Sequence, residues 1–383
     1  MIDQNCQYLI SVIKSVICGT PFLPAPSDIC WPEFVRIAKA HFVANIAAYG
    51  VVSEAIPAQL HERLNQELNI TVVREARMRA ETAKIFSLFG ENHICFMPMK
   101  GFILQDYYPS PDLRTMSDID ILIQAADADK AGAVMEQCGY TVRFANSEED
   151  AYVKPPLCSI ELHKRMVGAE HTLFSRYYAD IWGRTVPDEP PCRYKLSDED
   201  FYIFHLVHLT KHYITGGTGI RSILDIWVFL NAKRGVLNWD YINIELEKLN
   251  LLEFSHNLEA LSDYWFGNGV ASGAVKEMQE FIFRSGAYGT QENYSAAQGL
   301  KYSGLKKIKY YWGMLFPNIK SMSSAYPVLR KLPALLPVMW IYRIIQGIAL
   351  KRSTVKKVLH KDVSGNREDN ERLQQHLIHV GLK

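Results

Sequence analysis

Hydrophobic positions change their spacing several times along the chain, and each change marks a change of element. Trp31-Pro32-Glu33 puts a proline in a first helical turn, and Phe34, Ile37, Ala38, Phe42 and Ile46 follow at helical spacing. Residues 58–89 are rich in Glu, Arg, Ala and Leu, which predicts one long helix. The texture changes at His93. Ile94-Cys95-Phe96-Met97, closed by Pro98, suits a short buried strand. A short helix is expected over 101–108, stopped before Pro109, and 118–123 alternates as a β-branched strand. A helix over 128–138 has Gly139 for its C-cap, and 141–145 and 157–162 read as further strands. From Ser197, a capping residue before three acidic ones, the pattern is helical again over 198–213, 219–233, 238–248 and 253–265. Prolines 317, 327, 333 and 337 then interrupt helical stretches, and the polar stretch after Lys361 is expected to be loosely ordered. The sum is an α+β chain: an N-terminal helical region (1–90), a core with a small mixed sheet (91–190) and a C-terminal helical region (191–383).

Length fits two or three domains, or one domain with large helical additions, and 48% apolar with 22% charged residues is ordinary for a globular chain. A net charge of +1 sets up no global field for nucleic acid, and no DNA partner is expected. Two local basic clusters stand out, Lys301, Lys306, Lys307, Lys309 and Lys351, Arg352, Lys356, Lys357; they read first as solvated helix faces. Seven cysteines, odd in number and without a CxxC, argue against a disulfide framework or a cysteine zinc site, so a reducing, cytoplasmic setting fits. The N-terminus lacks the features of a signal peptide. Leu332–Leu350, interrupted by Pro333, Pro337, Arg343 and Gln346, reads as a buried or interfacial helix rather than a span, with peripheral membrane contact set behind that reading.

The chemistry concentrates in residues 99–123. In a strand, side chains two apart share a face, so Asp118 and Asp120 stand side by side while Ile119, Ile121 and Ile123 face a core. Close carboxylates repel unless a cation sits between them, and oxygen ligands favour Mg²⁺ or Mn²⁺. Glu161, facing outward between Ile160 and Leu162, is the candidate third carboxylate. Lys100-Gly101 stands at a strand-to-helix turn, where backbone can approach a phosphate. Lys100, Arg114 and Ser117 are candidate triphosphate contacts.

These residues carry a family resemblance. Lys100-Gly101, Tyr108-Pro109, Arg114 and Ser117-Asp118-Ile119-Asp120 resemble the uncharacterised bacterial nucleotidyltransferase family of the DNA polymerase β-like superfamily. So do the stretch from Trp31 to His41, Glu161-Leu162-His163, and His208 to His212 followed by Arg221 to Asp225. The resemblance covers roughly residues 30–235. It implies a polymerase β-like core, divalent-metal catalysis and nucleoside-monophosphate transfer from an NTP such as ATP. The acceptor is open: a small molecule, a protein or tRNA. Lys100-Gly101-Phe102 replaces the usual Gly-Ser, so a serine expected on the phosphates is missing. That departure motivates the rival reading of a non-catalytic nucleotide-binding or interaction protein. The Lys-Gly opening is also similar to toxin nucleotidyltransferases of the abortive-infection type, whose later lysine and aspartate Lys211 and Asp225 would echo.

Plainer readings stand beside these. His205, His208 and His212 share a helix face but form no HExxH, so cleft-lining or core histidines are favoured over a zinc site. His163, Lys211, His212, Arg221 and Asp225 are candidates for the acceptor side or a lid. Asp225 among apolar neighbours needs a partner, and Arg221 stands one turn earlier. Gly216-Gly217-Thr218-Gly219 lacks the surroundings of a P-loop and reads as a flexible interhelical connection.

Overall fold

A computed structural model describes residues 4–51, 56–156, 158–189, 191–301, 316–319, 322–323, 326, 328–350 and 367–382. Helices α1 (Gln4–Cys18), α2 (Trp31–Ala40), α3 (Ala44–Gly50) and α4 (Ala58–Glu91) lead into the sheet. Among the described residues seven strands follow: β1 (Phe96–Pro98), β2 (Ile119–Ile123), β3 (Thr141–Ala145), β4 (Glu149–Lys154), β5 (Cys158–His163), β6 (Val186–Asp188) and β7 (Arg193–Lys195). They form one mixed sheet in the order β3-β4-β5-β2-β1-β7-β6. The central strand β2 runs parallel to β5 and antiparallel to β1. Between β1 and β2 lies the short helix α5 (Gly101–Leu104), α6 (Ala128–Gln137) follows β2, and α7 (Thr172–Tyr177) follows β5.

The alternation of β2 divides the molecule. Ile119, Ile121 and Ile123 join Ile160 and Leu162 of β5 under Ile85, Phe86 and Phe89 of α4 and Val134 and Met135 of α6. The opposite face carries Asp120 and Leu122, and Leu122 enters a second, larger core. That core joins α1–α3 to α8 (Asp198–Thr215), α9 (Ile220–Lys233), α10 (Trp239–Lys248), α11 (Leu252–Phe266) and α12 (Gly273–Ser285), so helices from both ends of the chain pack together. Helix starts follow the capping residues: Ser197 accepts from the Asp200 N–H at 3.1 Å. Gly139, at φ +82°, closes α6 with its N–H on the Glu136 carbonyl at 2.9 Å, a backbone angle that favours glycine.

Four elements differ from expectation. β4 opens on Glu149-Asp150, and this polar start conceals a strand whose Ala151 and Tyr152 are buried. The helix expected over 101–108 stops at Leu104 and continues as a 3-10 turn, Gln105–Tyr107, after which Tyr108 turns into the core. The Gly216–Gly219 connection is buried, not loose. A methyl on Gly217 would meet Ser285 Oγ at 2.2 Å, and one on Gly219 would meet Ala287 Cα at 2.9 Å. The polar C-terminal stretch contains a docked helix, Arg367–His379. Its Leu373 and His376 are buried, His376 Nε2 lies 2.8 Å from the Tyr213 hydroxyl, and Glu277 contacts both His376 and His379. The basic side chains 301–309 and 351–357 lie outside what is described. No helix among the described residues is long and apolar enough to cross a membrane.

The isoleucine face should dominate stability. Ile121→Ala, at a fully buried site, is expected to lower unfolding free energy by about 2–5 kcal/mol in urea titrations followed by circular dichroism. A loss below about 1 kcal/mol would contradict the packing described.

Candidate active site

Strand register assembles the site. Ile119 pairs with Ile160 and Asp120 with Glu161, so the apolar pair points to one side and the carboxylate pair to the other. Asp118 stands one residue before β2, with its Oδ1 accepting from Ser117 Oγ at 3.2 Å. Asp120 Oδ1 accepts from Lys100 Nζ at 2.7 Å and lies 2.6 Å from His163 Nε2. The same His163 nitrogen is 3.7 Å from Glu161 Oε2, and its Nδ1 is 3.4 Å from Glu149 Oε2. Sequence reasoning placed His163 on the acceptor side and missed Glu149, because β4 was not read as a strand. The β4 register puts Glu149 opposite His163.

Lys100 reaches Asp120 from a turn with φ +50°, a left-handed angle uncommon for a residue with a side chain. Such strain at a side chain that enters a polar cluster is a mark of functional sites. Gly101 beside it is required by space. A methyl there would meet Arg114 Nη1 at 2.3 Å and Met116 Sδ at 3.0 Å.

The carboxylates divide electrostatically. Burial opposes ionisation of Asp120, but the Lys100 ammonium and the His163 ring outweigh it and hold the group well below the usual carboxylate range. Asp118 is pushed up by burial and by the charge of Asp120. Glu161 is pushed up by burial, then by Asp118 and Asp120. Three carboxylates thus crowd one face with less positive charge than they call for. The ligand atoms of Asp120, Glu161 and His163 all lie within 4.8 Å of one another. Opposite ligands of an octahedral Mg²⁺ are about 4.2 Å apart, so this donor set fits one divalent ion after small adjustments. Asp118 stands beside that group rather than within it. The Glu149 carboxylate behind His163 Nδ1 is the usual support of a ligating imidazole.

Helix α8 faces this cluster. The pKa of His212 is lowered to about 4 by burial and by Lys100 and Lys211. His208 is also held neutral by burial and by Lys100, and its Nε2 is 3.1 Å from that of His212. Burial and the Lys100 charge lower Lys211, which has no ion-pair partner among the described residues.

Arg114 takes a different place from the triphosphate contact expected of it. Its Nε and Nη2 donate to Asp225 Oδ1 and Oδ2 at 2.7 and 2.9 Å, and both side chains are buried. Tyr108 adds a hydrogen bond to Asp225 at 2.8 Å. The expected Arg221–Asp225 pairing is therefore replaced. A carboxylate in apolar surroundings takes the bidentate partner that the fork of Arg114 supplies, and Arg221 Nη1 donates instead to the Thr115 carbonyl at 2.9 Å. His205 is buried with its Nε2 unpartnered.

A mixed sheet whose central strand carries Asp120, with Asp118 just before it and Glu161 in register on the parallel neighbour, is consistent with a nucleotidyltransferase core. The chain belongs to a family described as uncharacterised nucleotidyltransferases, which matches residues 27–267. That span contains every strand and α2–α11. No curated protein and no solved structure matches the chain significantly.

Two outcomes test this arrangement. Asp225→Ala strands a buried guanidinium and is expected to cost about 3–5 kcal/mol of stability, whereas the double change Arg114→Met, Asp225→Leu should recover much of that loss in urea titrations. The second concerns acid. His205 has a folded pKa of about 4, lowered by burial, against about 6.5 unfolded. Above pH 6.5 both states are neutral at this ring; below it the unfolded state gains the proton first. Stability should therefore fall from about pH 6.5 to about 4, and His205→Leu should flatten the urea-midpoint profile across that window.

Proposed function

We propose that the protein transfers a nucleoside monophosphate from an NTP to an acceptor hydroxyl and releases pyrophosphate. One observation carries this reading: Asp120 and Glu161 are in register on one face of the sheet, with Asp118 beside them and Lys100 on Asp120. A carboxylate cluster flanked by the cations of Lys100 and Lys211 suits a polyphosphate that must be both bound and cleaved.

Asp120 and Glu161, with His163 alongside, would hold a divalent ion, Mg²⁺ or Mn²⁺. Once bound, the ion would neutralise charge on the phosphates and on the acceptor oxygen. The chain's own groups do the rest. Lys100 and Lys211 flank the phosphate path, and Ser117 offers a hydroxyl where the serine after Gly101 is missing. The acceptor oxygen attacks the α-phosphorus, the bond from that phosphorus to the pyrophosphate oxygen breaks, and pyrophosphate leaves. Asp118, whose proton affinity is raised, takes the acceptor's proton. Arg114 and Asp225 lie beneath this chemistry as positioning residues. The absent serine favours one rival, a protein of the same fold that binds the nucleotide without transferring it.

The purified chain, an NTP labelled at either phosphate, and cell extract as the source of acceptor separate the readings. The α label should appear on a product, vanish with EDTA and return with excess Mg²⁺ or Mn²⁺. Asp120→Asn and Glu161→Gln should each reduce that transfer by about 10²-fold or more while the melting temperature stays near that of the parent. Transfer of the γ label would identify a kinase, and nucleotide binding with no transfer would favour the rival.

A further inference from the structure

We propose that the helix Leu336–Leu350 and the basic chain around it dock the protein on the surface of an anionic lipid bilayer. The first observation is charge. Residues 293–361 hold 13 Lys and Arg and not one Asp or Glu, so the other 314 residues carry 29 basic against 41 acidic side chains. A net charge of +1 therefore conceals a strongly basic segment on an acidic body. That segment lies beyond the stretch that matches the family, which ends at residue 267.

The second observation is geometric. Val338, Ile341, Tyr342 and Ile345 are 58, 61, 49 and 59% exposed, where a packed helix would bury such residues. Their spacing of three, four and seven puts them on one face. Trp340 belongs to the other side, where its Nε1 donates to the Pro317 carbonyl at 2.8 Å and its ring meets Phe316 edge-on. The helix has 15 residues, about 22 Å long, against the roughly 30 Å of a bilayer's hydrocarbon core. It is too short to span and suits lying in the interface with its apolar face among acyl chains, while the cations that surround it in the sequence supply the charge that draws the chain to anionic headgroups.

Charge complementarity chooses the occupant. A second copy would bring its own basic segment against this one. A nucleic acid would satisfy the cations but leave the valine and isoleucine stripe without a counterpart. An anionic bilayer satisfies both. The proposal is independent of nucleotidyl transfer, because docking is measured without nucleotide.

The full chain is sedimented with vesicles of phosphatidylcholine alone and of phosphatidylcholine mixed with phosphatidylglycerol. It should pellet with the mixed vesicles only, and binding should weaken as NaCl rises from about 0.1 M to about 0.5 M. The double change Ile341→Glu, Ile345→Glu should weaken it roughly tenfold, with an unchanged urea midpoint because both positions are exposed. The lipid comparison uses the unaltered chain and stands even if that variant misfolds. No pelleting with the mixed vesicles, or equal pelleting with both, would overturn the proposal. So would undiminished binding of a folded double variant. Retention of a single-stranded RNA without vesicle binding would assign the surface to nucleic acid and overturn it as well.

Discussion

The buried pair of Arg114 and Asp225 fastens the loop that delivers the aspartates to helix α9. Arg114 belongs to the segment just before β2, Asp225 to α9, and 111 residues separate them in sequence. Two short hydrogen bonds and a third from Tyr108 satisfy the carboxylate inside an apolar surrounding, where an unpaired charge would be intolerable. The guanidinium also presses Nη1 against Gly101, so the Lys100 turn is shaped by the same group. Arg221, next to it on α9, holds the Thr115 carbonyl. Strand pairing places Asp120, while the Lys100 turn and the segment that leads to Asp118 are braced by these contacts from outside the sheet.

The site these contacts create is unbalanced by design of its strands. β2 and β5 each place a carboxylate on one face because their other face must be apolar. Parallel pairing in this register then makes the carboxylates neighbours. Lys100 and His163 answer for Asp120, while Asp118 and Glu161 remain with raised proton affinity. Burial amplifies each of these interactions, since charge is poorly screened away from water. The lowered imidazoles of His208 and His212 on α8 fit the same logic: desolvation first, then the charges of Lys100 and Lys211, resist a further proton.

How far this was legible from sequence depends on the range of each interaction. Asp118 and Asp120 were readable because a two-residue period and β-branched neighbours are local signals. The outward placement of Glu161 was readable for the same reason. The pairing of its strand with β2 was not, since register is set by the whole sheet, including β4, whose opening Glu149-Asp150 resembles a turn. Arg114 showed only that it was an arginine near the motif. Its partner lies on a helix more than a hundred residues away, and no spacing rule connects them. The C-terminal helix was missed because its composition is polar, while its attachment rests on a few contacts from Tyr213 and Glu277. Individual helices of α8–α11 came within two residues of expectation because caps and amphipathic spacing are both local.

The backbone at Lys100 couples shape to charge. A glycine would adopt φ +50° with less strain, so the turn by itself gives no reason for a lysine. The ammonium can meet Asp120 only because the main chain accepts that strain, on the order of 1–3 kcal/mol. Folding energy is thus converted into a fixed cation beside the carboxylates, one that does not have to be recruited from solution. The least comfortable residue of the turn is the one that keeps the cluster electrically tolerable.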